Sequence, residues 1–279
     1  VGIRGVRLGC AVAVCGALLA GCTSSDGDGG SARALSSASP TPRPTAPPTE
    51  VVDIDPARLP ATSAQAAALI RQVIPDPARF GPATVRRSPY ESDPARWAVL
   101  GDDCVWHQEP LPRDVLATLT RSYEVPAAGD KGPVRLGAVV TVHRTPEQAD
   151  WENAEVLEEI MRCPAQRLRS DEIITSLNDV PATPGDTGYA FAEDSLTELG
   201  DYTSAGLGGP HPYIWEQTRI GQFTLAVSAK GSPGWTRPAL LDLLRTPHSD
   251  MRTRLTSAIE HRTPPPSTDP STTPKTAPR

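Results

Sequence analysis

The chain has 279 residues, with 27 basic and 33 acidic side chains and a net charge of −6 at pH 7, a balance that disfavours nucleic acid as a partner. Aromatic residues make up only 5% of it, against 31 prolines and 22 glycines, so the full length does not read as one uniformly packed core. All Trp, Tyr and Phe residues fall between positions 51 and 262, which confines the expected globular part to that stretch.

From the start, Arg4 and Arg7 precede an uncharged run at 8–19. The run is shorter than the roughly 20 residues a bilayer requires, and it reads as the core of a signal peptide occupying residues 1–21. Leu19-Ala20-Gly21-Cys22 resembles the lipobox of bacterial lipoproteins. Small residues at 20 and 21 let the chain lie extended in a peptidase groove, and only a thiol at Cys22 forms the thioether to diacylglycerol. The expectation is a chain lipidated at Cys22 and anchored by that lipid on the extracellular face of the cell membrane. Residues 22–50 continue as a linker of Ser, Gly, Pro and Thr, and residues 263–279 form a Pro/Thr tail of the same character. Neither has apolar side chains enough for a core. Residues 51–262 are left as a single domain of adequate size.

Within it, the spacing of Ala66, Leu69, Ile70, Val73 and Ile74 predicts a helix over 62–74, stopped by Pro75 and Pro77. Period-2 alternation at 115–125 and 134–142 predicts an antiparallel hairpin around a Gly-rich turn, each strand with one buried face. Thr145-Pro146-Glu147-Gln148 carries a cap, a proline at the first helical position and a capping box. The helix it starts is expected to run to Arg162 and to bury Ala154, Leu157, Ile160 and Met161, with Pro164 ending it. A second hairpin is expected at 213–218 and 223–230, then closing helices at 238–244 and 249–261, interrupted by Pro247. Hairpins and helices without regular βαβ alternation predict an α+β fold, an antiparallel sheet with packed helices.

Chemistry-bearing residues are sparse. Once Cys10 and Cys15 leave with the signal and Cys22 takes lipid, Cys104 and Cys163 remain, an even pair expected to form a disulfide in an oxidising compartment. His107, His143, His211, His248 and His261 lack metal-ligand spacing, so no metal or cofactor is expected. No Gly-x-Ser-x-Gly elbow, phosphate loop or kinase signature occurs, and no catalytic residue is nominated. No Lys or Arg lies between Arg169 and Arg219, while Asp171, Glu172, Asp179, Asp186, Glu193, Asp194, Glu198, Asp201 and Glu216 do. That stretch reads first as a solvated acidic face with loops, and secondly as a site for cations. Trp97, Trp106, Tyr213 and Trp215 are the aromatics to watch for ligand stacking.

The succession Cys104-Val105-Trp106, Leu111-Pro112, a hairpin, Thr141-Val142-His143-Arg144 leading into a helix that ends Arg162-Cys163-Pro164, and a late hairpin at 217–228 resembles PknH-like extracellular sensor domains, in their stand-alone surface-lipoprotein form. The resemblance implies an α+β domain that binds an extracellular ligand. Prototype members carry two disulfides, whereas this domain has cysteines for one, so no ligand residue is carried over. The expected function is a non-catalytic ligand-binding or sensing lipoprotein whose partners are the membrane, through Cys22, and a small extracellular ligand or surface protein. A wall-associated interaction or structural protein and a secreted hydrolase are the alternatives. Cys22→Ser should abolish fatty-acid labelling and release the protein from the membrane fraction; labelling and retention unchanged in that variant would refute the anchor.

Overall fold

The computed structural model describes residues 52–180 and 192–261. The expected signal, linker and tail lie outside the described residues. α1 (Ser63–Val73) opens the fold with a capping box in which Thr62 and Gln65 cap reciprocally, and it buries Ala66, Ile70 and Val73. β1 (Val85–Glu91), β2 (Arg96–Leu100), β3 (Trp106–Pro110), β4 (Val115–Val125) and β5 (Val134–His143) follow. α2 (Pro146–Arg162) carries the expected Thr145–Gln148 capping box and proline start. β6 (Gln166–Arg169), β7 (Glu172–Asp179), β8 (Asp194–Ser204), β9 (Gly208–Ile220), β10 (Phe223–Lys230) and α3 (Arg237–Ile259) come next, and short 3-10 turns at Pro56–Arg58 and Pro77–Phe80 flank α1.

Eight strands form one antiparallel sheet in the order β1-β4-β5-β10-β9-β8-β7-β6, and β2 and β3 pair as a separate ribbon. The fold is α+β, as the sequence implied. Register is continuous through the centre, where Val227 faces Ala138 on β5 and Glu216 on β9. Because strand side chains alternate between faces, Phe223, Leu225, Val227 and Ala229 all point one way, and all four are fully buried. With Leu136, Ala138, Val140 and Val142 they meet Ile70 and Val73 of α1 and Leu240, Leu244, Met251, Leu255 and Ile259 of α3 in one core.

α2 covers part of the other face, over β5, β7, β9 and β10. β4 is buried at every position from Val115 to Leu119, where one buried face was expected: a register shift at Leu116 adds that side chain to the apolar core, and the Thr118 hydroxyl pairs with that of Thr141. Two further expectations are corrected. The closing helix is one element with Pro247 inside it. A mid-helix proline costs about 3 kcal/mol, but apolar residues on both sides of it are fully buried against the sheet, and Pro247 itself is buried. α2, in turn, buries Ala149, Asn153 and Ile160, while Leu157 is 40% and Met161 85% exposed.

Cys104 and Cys163 form a disulfide with a Cα–Cα separation of 5.6 Å. It ties the β2–β3 ribbon to the C-cap of α2. Arg162 reinforces the tie by donating to the carbonyls of Gly101 (3.0 Å) and Leu100 (3.3 Å), and Trp106 Nε1 donates to Gln166 Oε1 at 2.9 Å. Of the ribbon's strand residues only Leu100 is buried, so these ties hold it more than apolar packing does. Removing the bridge with Cys104→Ala and Cys163→Ala should cost up to about 4 kcal/mol, the chain-entropy value for a loop of this length. Hydrogen exchange should rise first in the ribbon and the end of α2; uniform acceleration that includes β10 would contradict this arrangement.

Candidate functional site

Part of the sheet face under α2 is held by buried polar pairs. His143 Nε2 lies 2.6 Å from Glu152 Oε2, and the same oxygen accepts from the Thr224 hydroxyl at 2.7 Å. Gln217 Nε2 donates to Asn153 Oδ1 at 2.6 Å, and Asn153 Nδ2 donates to Asp194 at 3.2 Å. Side chains of α2 thus supply the partners that buried sheet polar groups require. A second, smaller core of Ile160, Ile174, Leu177, Tyr202 and Tyr213, with Trp215 packed against it, lies on this side.

Beside that core sits a group of carboxylates. On β8, Glu198 stands directly opposite Trp215 on β9 and Asp179 on β7, and residues directly opposite in an antiparallel pair share a face. Glu198 is only 8% exposed. Burial, with repulsion from Glu159 of α2 and from Asp179, pushes its carboxyl up to about 8. Burial and the neighbouring Glu155 likewise raise Glu159 to about 7, against a smaller opposing pull from Arg162. Burial also raises the Tyr213 hydroxyl, with Glu198 adding to the rise. Among the described residues no Lys, Arg or His forms an ion pair with Glu155, Glu159, Asp179 or Glu198.

Glu172, on the same face and also buried, behaves oppositely. Arg135 Nη1 lies 2.5 Å from it and Lys230 Nζ 3.0 Å, and Arg135 also donates to the Tyr202 hydroxyl at 2.7 Å. These cations outweigh the penalty of burial and hold the Glu172 carboxyl below its usual range. The acidic stretch is solvated in part: Asp171, Asp179, Glu193 and Asp194 are exposed, as an acidic face would be, while Glu172 and Glu198 are buried. Glu172, Glu198, Asp194 and Asp201 lie on strands, Arg219 pairs with Glu193, and Glu216 meets His248. Asp186 lies outside the described residues.

Of the aromatics named from sequence, Tyr213 and Trp215 come together beside Glu198, while Trp106 is on the ribbon and Trp97 packs edge-on to His143 at 6.4 Å. His107 is exposed next to Asp103, His211 meets the Leu207 carbonyl, and His261 lies near Asp53 and Asp55. The histidines are dispersed, and among the described residues no three His, Cys, Asp or Glu side chains converge as metal ligands. Glu159 and Glu198 were not singled out as a pair by sequence reasoning. Period-2 reading of 194–204 would have found Glu198, since it shares a face with Leu196 and Tyr202, both buried.

No protein-family profile matches the chain, and no curated protein does. Among solved structures, it is similar to the extracellular domain of PknH from Mycobacterium tuberculosis, at 10% identity and a TM-score of 0.44, over 72% of this chain and 99% of that one. The Rv0999 ortholog from Mycobacterium smegmatis matches at 13% identity and a TM-score of 0.30, over 72% and 98%. CalU16 from Micromonospora echinospora matches at 14% and 0.22, over 50% and 91%. The PknH match concerns the kind of domain that the sequence resembles. All three likenesses are distant, and none carries a ligand or a residue role over to this chain.

The sign of the pH response follows from the raised carboxyls. In the unfolded chain Glu198 and Glu159 titrate near 4.5; in the fold they hold protons to about 8 and 7. Between those values the folded state binds more protons, so these groups stabilise the fold at low pH and lose that contribution as pH rises from 4.5 through 8. Glu198→Gln, which stays neutral, should gain stability relative to the parent chain across that window. Melting curves of both at several pH values test it, and a constant difference would refute the burial of a charge at this position.

Proposed function

We propose that the chain is a lipid-anchored extracellular protein whose domain reversibly binds a small cationic ligand, an amine or quaternary ammonium, without transforming it. The observation that carries this reading is the placement of buried Glu198 beside Trp215, with Glu159 facing it from α2 and no paired cation among the described residues. Burying carboxylates without counter-charge is costly, and a bound cation would relieve that cost. An aromatic ring next to an acid suits such a group, because the ring face attracts a cation while the carboxylate supplies the charge.

The disulfide between the two cysteines of the domain fits an oxidising compartment. A linker of Ser, Gly, Pro and Thr from Thr23 to Pro48 would span about 30 Å as a flexible coil, enough to present the domain to external solutes.

A thermal-shift screen with diaminobutane and tetramethylammonium, against phosphate and acetate, tests the reading. A ligand at 100 times its Kd should stabilise the fold by about 2.7 kcal/mol. Binding should tighten as pH rises from 6 through 8, because Glu159 and Glu198 ionise there, and Glu198→Gln should weaken it. Shifts with the anions alone would overturn the cation reading, and consumption of a bound amine would replace binding by catalysis.

A further inference from the structure

α2 is apolar on two sides. Ala149 and Ile160 pack inward, yet Trp151 is 70%, Leu157 40% and Met161 85% exposed. At 3.6 residues per turn, Trp151, Ala154, Leu157 and Met161 fall within an arc of about 120° directed away from the sheet. Isolated exposed apolar side chains are ordinary; three large ones on one stripe of one helix form a surface. Glu147, Asp150 and Glu158 lie within the same arc. Asp150 meets Arg219 at 3.4 Å and Glu158 meets Arg162 at 3.0 Å, while Glu147 forms no ion pair among the described residues.

We propose that this face docks a basic amphipathic segment of another protein, its apolar side chains lying on Trp151, Leu157 and Met161 and its Lys or Arg side chains meeting Glu147, Asp150 and Glu158. Charge selects this occupant. A second copy of α2 would set the same acids against each other, since Arg162 is the only basic residue of the helix, and an anionic bilayer would be repelled in the same way. Chemistry agrees: Trp contributes a large contact area on few rotatable bonds, and Met adapts its shape to a partner. Helical segments recognise such surfaces through anchors at helical spacing. The stripe points away from Glu159 and Glu198, so the proposal stands or falls independently of the amine site.

The test is calorimetric titration of the full chain with an amphipathic Leu/Lys helical peptide, beside a peptide of the same composition in scrambled order. The ordered peptide should bind and the scrambled one should not. Trp151→Ala with Met161→Ala, and separately Glu147→Gln with Glu158→Gln, should each weaken binding at least about tenfold while lowering the melting temperature by no more than a few degrees, the share of one exposed ion pair and one first-turn acid. Equal binding of the two peptides, or variants that bind like the parent chain, would overturn the proposal. A photo-crosslinker placed at position 157 in the full chain, on cells, should capture a protein through a Lys- or Arg-rich segment. Crosslinks to residues 23–48 or 262–279, a dimer lost with Trp151→Ala, or Trp151-dependent pelleting with phosphatidylglycerol vesicles would each assign the face to another occupant and refute it.

Discussion

An open eight-stranded sheet exposes two faces, and alternation along each strand means that whatever covers one face cannot cover the other. This constraint organises the molecule. β10 is hydrogen-bonded to β5 and β9 along its whole length, so the centre of the sheet has no free edge and both its faces need cover. α1 and α3 seal one face with apolar contacts. α2 covers part of the other through hydrogen bonds, with Glu152 serving His143 and Thr224, and Asn153 serving Gln217 and Asp194. Buried polar groups left unpaired cost about 1–3 kcal/mol each. Rotating α2 to bury Leu157 and Met161 would withdraw Glu152 and Asn153 from the sheet. The rotation of the helix is therefore set by polar pairing, and its apolar outer stripe is a consequence.

This distinction also explains what was legible in the sequence. Elements whose apolar residues do the packing were read directly: α1, the β4–β5 hairpin and the β9–β10 hairpin each follow their hydrophobic period, and Thr145 and Gln148 mark the start of α2 to the residue. The buried face of α2 was misread because periodicity counts apolar side chains, whereas Asn153 and Glu152 make the decisive contacts. Pro247 suggested a break that burial on both sides of it overrides. The strands that escaped notice are polar or short. β1 contains Pro89 and lies at the edge of the sheet, where proline is tolerated, and β6 is the other edge. β7 and β8 carry acids at a density that reads as loop. The disulfide pair was legible because cysteine is scarce in the domain; the Glu159–Glu198 juxtaposition was not, because it joins a helix to a strand across a register that no local pattern encodes.

Two buried glutamates on one face show how that register determines chemistry. Glu172 and Glu198 lie on adjacent strands, β7 and β8, with nearly the same small exposure, 3% and 8%. Burial acts on both in the same direction. For Glu172 the register brings Arg135 and Lys230 from β5 and β10 within ion-pair distance, and the carboxylate is stable as a charge. For Glu198 the neighbours in register are Asp179 and Trp215, and the helix above contributes Glu159, so every nearby charge opposes ionisation. Counter-charge, more than depth, separates a structural ion pair from a carboxyl poised near neutrality. Protonation, or a cation supplied from outside the fold, relieves the electrostatic cost at Glu198. At Glu172, Arg135 and Lys230 already supply that charge from within the fold.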